Sequence, residues 1–81
     1  MRIIFHWGNF DFDQAVIPKC QEQLTDDLGT VFQTDPEEAH VYYEEYEPEM
    51  LKGSICDESG KILCNFKCSL FGKRPAKYTF D

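Results

Sequence analysis

Eighty-one residues carry 15 Asp and Glu against 8 Lys and Arg, a formal charge of −7, with an isoelectric point near 4.6. Apolar residues at 42% and aromatics at 15% are too many for an acidic disordered tail, and a chain of this length predicts one domain, residues 1–81, with a modest core. Apolar runs of two or three residues exclude a membrane-spanning helix, and the acidic balance argues against direct binding to nucleic acid or an anionic membrane.

In chain order, residues 2–7 read as a first strand, with Ile3, Phe5 and Trp7 on one face and Ile4 and His6 on the other. Gly8-Asn9 is a turn signal. A helix follows, starting near 14 or 18 and ending at 28. Asp11 or Asp13 can cap it or Pro18 can open it, and Ile17, Cys20 or Gln21, Leu24 and Leu28 recur at helical spacing. Gly29 then predicts a left-handed stop. Residues 30–34 form a short strand candidate.

The next segment is ambiguous. Asp35-Pro36-Glu37-Glu38 has the form of a capped helix start, and Ala39, Tyr42, Tyr43, Tyr46 and Met50 continue at helical spacing. Val41-Tyr42-Tyr43 are strand formers, and Val41 falls on the charged face of such a helix. The capping signal favours a second helix near 36–46, closed by Pro48.

The last third predicts a hairpin of strands 51–56 and 61–70 around the turn Asp57-Glu58-Ser59-Gly60. A four-residue loop sets Cys56 opposite Lys61, Ile55 opposite Ile62, Gly53 opposite Cys64 and Leu51 opposite Phe66. Leu51, Ile55, Ile62, Cys64 and Phe66 then share one face. A final strand, 76–80, carries Tyr78 and Phe80 on one face. The expected fold class is α+β, an antiparallel sheet with one or two helices on a face.

Cys20, Cys56, Cys64 and Cys68 are separated by 35, 7 and 3 residues, with no C-x2-C knuckle. Cys64 and Cys68 alternate with polar residues on the apolar side of a strand, where reduced Cys acts as a small hydrophobe. Cys56 lies beside the turn and is the expected exposed thiol. With no secretory h-region after Met1-Arg2, the chain is expected in the cytoplasm with reduced thiols. No bound metal and no cofactor are expected.

Enzymatic constellations are missing. The five glycines are scattered, so there is no phosphate loop. Asn9-x-Asp11-x-Asp13 resembles the start of a calcium loop, but Gln14 replaces the turn glycine and Cys20 the bidentate glutamate. His40 and Glu44 would share a helical face, yet two ligands are fewer than zinc wants. No thiol or hydroxyl is placed beside a base, so the expectation is a protein that is not an enzyme.

Charge distribution is the informative feature. Residues 20–51 hold ten acids (Glu22, Asp26, Asp27, Asp35, Glu37, Glu38, Glu44, Glu45, Glu47, Glu49) and no Lys or Arg. Residues 52–81 hold six bases against three acids. A solvated face kept soluble by repulsion is the simplest reading. Tyr42, Tyr43 and Tyr46, however, interleave with Glu37, Glu38, Glu44, Glu45, Glu47 and Glu49, and tyrosine is a frequent interface anchor. This mixture suits docking on a basic protein surface, the kind that nucleic-acid-binding proteins expose, with carboxylates standing in for phosphates. Phage-encoded anti-CRISPR and anti-restriction inhibitors have this general size and charge, although no shared motif is present. The expectation is a small monomeric inhibitor whose partner is such a protein. The alternatives are a thiol or zinc module using Cys56, Cys64 and Cys68 with Cys20 or a His, and a generic adaptor.

Overall fold

The computed structural model describes residues 1–29, 32 and 36–81. Its elements are β1 (Arg2–Trp7), α1 (Ile17–Leu28), β2 (Glu38–Glu47), β3 (Met50–Cys56), β4 (Ile62–Phe71), β5 (Arg74–Pro75) and β6 (Thr79–Phe80). β1 runs parallel to β2, from Arg2 opposite Glu38 to Trp7 opposite Tyr43. Parallel neighbours need a crossover, and α1 lies within it. β2, β3 and β4 form an antiparallel meander, and the short strands β5 and β6 both pair with β4. Antiparallel ladders dominate and one helix covers one face, so the chain is α+β.

α1 forms where the apolar spacing predicts it, burying Cys20, Leu24 and Leu28 on one side. Its first turn contains Pro18, whose missing N–H costs nothing there. Asp13 ties down the preceding turn, accepting the Ala15 N–H at 2.9 Å, while Val16 occupies the cap position with no side-chain bond. Gly29 does not stop the helix in the left-handed region. Its φ of −52° is right-handed, and its N–H reaches back to the Asp26 carbonyl at 3.5 Å. The strand expected at 30–34 lies outside the described residues apart from Phe32, which packs against the core.

The second helix expected at 36–46 is instead strand β2. The physical reason is tertiary. A capping signal stabilises by about 1 kcal/mol, whereas fully burying a Val-sized side chain contributes about 1.5–3 kcal/mol. As a strand, the segment buries Ala39, Val41 and Tyr43 together between β1 and β3. As a helix it would turn Val41 toward its acidic face.

The β3–β4 hairpin exists, with a different register. Ile55 faces Cys64, Gly53 faces Phe66 and Leu51 faces Cys68. The shift from the expected pairing is two residues, which leaves each side chain on its expected face. The exception is at the turn end, where an irregularity at Ile55–Cys56 sets Cys56 opposite Ile62. Ile62 is therefore 59% exposed and not in the core. Asp57 organises the turn: its Oδ1 accepts the N–H groups of Ser59 and Lys61 at 2.9 and 3.0 Å, and Gly60 takes a φ of 89°. At the C-terminus, β6 is shorter than expected. Tyr78 is held in place just before it by Asp27 Oδ2, which accepts the Tyr78 N–H at 2.7 Å.

The core lies between α1 and the inward face of the sheet. Trp7 stacks flat on Tyr43 at 3.8 Å, and Tyr43 meets Phe66 edge-on at 5.1 Å. Tyr43 and Tyr78 share a buried hydroxyl–hydroxyl bond of 2.8 Å, and the Tyr78 hydroxyl donates to the Cys20 carbonyl at 3.1 Å. No described helix is long and apolar enough to cross a membrane.

Candidate functional site

The acid-and-tyrosine segment singled out from sequence is β2 and its turn into β3. Strand alternation divides its residues. Tyr43 is 2% exposed, stacked on Trp7 in the core, and presents no surface to a partner. Glu38 pairs with Arg2 and accepts from His40 Nε2 at 3.2 Å. The His40 bond, followed by Arg2, holds its carboxyl below the ordinary value despite some desolvation. Glu37 is exposed and has no ion-pair partner among the described residues.

The second half of β2 is different. Its register against β3 breaks between Tyr43, opposite Gly53, and Glu45, opposite Lys52. The extra residue is Glu44, a bulge of the kind that re-aims side chains. Glu44 accepts from the Ser54 hydroxyl on the face away from α1. Past the bulge the alternation is reset, so Tyr46 stands opposite Leu51 on the helix side and meets Phe12 edge-on at 4.9 Å. Tyr42 lies on the other side of the sheet, its ring 4.5 Å from His6. Both tyrosines are 38% exposed, so they flank the acidic strand end from opposite faces.

Glu47 reaches Lys52 at 4.0 Å, a loose pair. Pro48 and Glu49 make a two-residue turn in which Glu49 takes a φ of 68°. Glutamate in the left-handed region costs about 1–2 kcal/mol relative to a right-handed conformation, and glycine would sit there freely. Glu44, Glu45 and Glu49 have no Lys or Arg partner among the described residues.

Sequence reasoning missed the lysines beside this strand end. Lys52 of β3 and Lys67 of β4 are directly opposite each other. With Glu44, Glu45, Asn65 and Asp81 they line a shallow groove of about 220 Å³. The stretch that is free of bases along the chain is therefore bordered by cations in space, from Arg2 at one end and Lys52 at the other. Period-2 alternation in β4 already placed Lys67 on the outward face; only the register could bring it to Glu45.

The His40–Glu44 pairing does not form. His40 bonds to Glu38 and to His6, whose Nε2 lies 3.0 Å from His40 Nδ1. The four thiols are free and buried. Cys56, expected to be exposed, is 9% exposed beneath its cross-strand neighbours. Burial pushes the thiol of Cys20 up to about 11 and that of Cys68 to about 12, and raises Cys56 and Cys64. Cys64 and Cys68 face α1, while Cys56 pairs with His40 on the opposite face. The thiols thus fall on two sides of the sheet. Among the described residues, no group of three or more His, Cys, Asp or Glu side chains is arranged to hold a metal.

No protein-family model, curated protein or solved structure matches the chain.

Proposed function

We propose that this chain is a non-catalytic binding protein that docks through the acidic end of β2 and its turn onto a basic protein surface. The observation that carries this reading is the bulge at Glu44. It brings Glu44, Glu45, Glu47 and Glu49 to one strand end, three of them without a cationic partner among the described residues. Tyr42 and Tyr46 flank that end and supply apolar contact with polar tips. Carboxylates so placed meet Lys and Arg in charge-assisted pairs and speed encounter. The basic surface best suited to them is a nucleic-acid groove, so the chain acts as a phosphate mimic, an inhibitor of anti-CRISPR or anti-restriction type. Four unpaired thiols suit a reducing, cytoplasmic setting.

The lysines narrow the footprint. A basic groove laid across the whole open face would meet Lys52 and Lys67, so contact is confined to the strand end. Two charge-reversed variants test this: E44K/E45K/E49K and K67E. Proteins captured by the wild-type chain at low salt should be lost with the first and retained with the second. Added duplex DNA should also release them. Equal capture by E44K/E45K/E49K overturns the docking surface, and failure of DNA to compete overturns the phosphate mimicry.

A further inference from the structure

The open face of the sheet carries a second arrangement, which shares only Tyr42 with the docking surface. Arg2 binds one oxygen of Glu38, and the other accepts from His40 Nε2 at 3.2 Å. An ionised carboxylate only accepts, so His40 carries a proton on Nε2, and in the neutral ring Nδ1 is then a bare lone pair. That lone pair faces His6 Nε2 at 3.0 Å. The His6 ring stacks on the near-parallel ring of Tyr42, at 4.5 Å and 10°, and meets the ring of His40 edge to edge, with centroids 5.2 Å apart and planes 20° apart. Two strands set this up: Ile4 is opposite His40 and His6 is opposite Tyr42, so the two imidazoles are diagonal neighbours across the β1–β2 ladder.

From this geometry we infer that His6 Nε2 and His40 Nδ1 form a two-histidine site for a divalent late transition-metal cation, with Glu38 as the positioning residue. Two metal–nitrogen bonds of about 2.0 Å spanning the observed 3.0 Å close at about 97°, nearer to a square-planar than to a tetrahedral angle. Nickel and copper accept that angle more readily than zinc. The cation takes the place of the hydrogen shared between the rings and sits off the line joining them, so each imidazole turns about its Cβ–Cγ bond to bring its lone pair onto the ion. The His6 proton leaves Nε2 and a proton is taken up at the His6 Nδ1, while His40 keeps its proton on Nε2, so both ligands remain neutral imidazoles. Water completes the coordination. The Glu38 bond to the far nitrogen of His40 is the carboxylate–histidine arrangement that fixes ring orientation at metal sites.

Ni²⁺ is the suitable probe, because Cu²⁺ would also oxidise thiols. Untagged full-length chain is titrated with NiCl₂ by calorimetry, and paramagnetic broadening of amide signals locates the ion. The expected result is one equivalent bound, with broadening centred on residues 4–6 and 38–42. H6N and H40N should each bind at least about tenfold more weakly, and E38Q about tenfold more weakly. Ni²⁺ should raise the urea midpoint of the wild-type chain and leave that of H6N/H40N unchanged, since only the folded state brings the rings together. Circular dichroism of each variant confirms that the fold is retained. Wild-type affinity equal to that of H6N/H40N, or broadening centred on the carboxylates of residues 44–49, overturns the site.

Discussion

The buried hydroxyl relay between Tyr43 and Tyr78 makes an asymmetric prediction. The Cys20 carbonyl can only accept, so the Tyr78 proton is committed to it at 3.1 Å. Tyr43 must then donate to the Tyr78 oxygen across 2.8 Å. Y43F removes one hydrogen bond and leaves Tyr78 still donating, a loss of about 1 kcal/mol. Y78F removes both bonds and strands the Tyr43 hydroxyl without an acceptor in the core. An unsatisfied buried donor adds about 1–3 kcal/mol to the two lost bonds, so the total is about 3–5 kcal/mol. In Y43F/Y78F no orphan remains, and the loss falls to about 2 kcal/mol, well below the sum of the single variants. Urea denaturation of the four proteins, with a common m-value, measures each difference. In heat, 1 kcal/mol corresponds to about 4–8 °C for a domain of this size. Y43F as costly as Y78F, or strict additivity in the double variant, would refute the donor order.

Gly53 should not accept a side chain. A Cβ there collides with the Tyr42 carbonyl oxygen and stands 2.6 Å from Phe66 Cζ, so G53A should lose about 3 kcal/mol by urea denaturation, the upper end for overpacking. Stability should also fall at high pH. Cys20 and Cys68 are held neutral by burial, at about 11 and about 12 against an unfolded value of 9.0. The unfolded thiols ionise first, and stability is lost between pH 9 and about 12. A flat urea midpoint across that window would contradict the burial of both thiols. E49G should raise stability by about 0.5–1 kcal/mol by relieving the positive φ, less the greater unfolded-state freedom of glycine. On the proposed function the same variant should weaken capture of a basic partner, and a gain in both would remove Glu49 from the proposed surface.

Legibility in the sequence followed the range of the forces involved. β1, α1 and the β3–β4 hairpin carry their own periodicity, and each forms close to where that periodicity puts it. β2 does not. Its local signals, Asp35-Pro36-Glu37-Glu38 and the tyrosine spacing, point to a helix, and only burial of Val41 and Tyr43 against strands distant in sequence decides otherwise. The error carried into the site. With a helical period, the three tyrosines share a face with one another; with a strand period and a bulge, Tyr43 enters the core and Tyr42 and Tyr46 part to opposite faces. The bulge itself has no sequence signature, because Glu44 and Glu45 are interchangeable in any pattern. The His6–His40 contact was equally hidden, since it depends on the parallel register of β1 against β2. The acids of residues 44–49 were legible as a group because their charge does not depend on the period chosen.

What the fold adds to the net charge of −7 is a length scale. From Glu44 to Glu47 the strand advances about 10 Å, near the Debye length at 0.1 M salt. Charges within that distance are felt together by a partner; those beyond it are screened. Glu22 and Asp26 lie on α1, in a separate surface region beside Lys19 and Arg74, and so belong to a different local field. The ten-acid stretch therefore acts as more than one patch, and the one at the end of β2 is bordered by Lys52 and Lys67. A patch of that shape favours a narrow, cation-lined ridge or groove over a broad basic plane. Mutual repulsion among Glu44, Glu45, Glu47 and Glu49 weakens as salt rises, so the free chain should gain stability under the same conditions that would weaken the proposed complex. Opposed salt responses of folding and binding distinguish a docking surface built from these four carboxylates from a uniformly solvated acidic face, for which binding would show no such link.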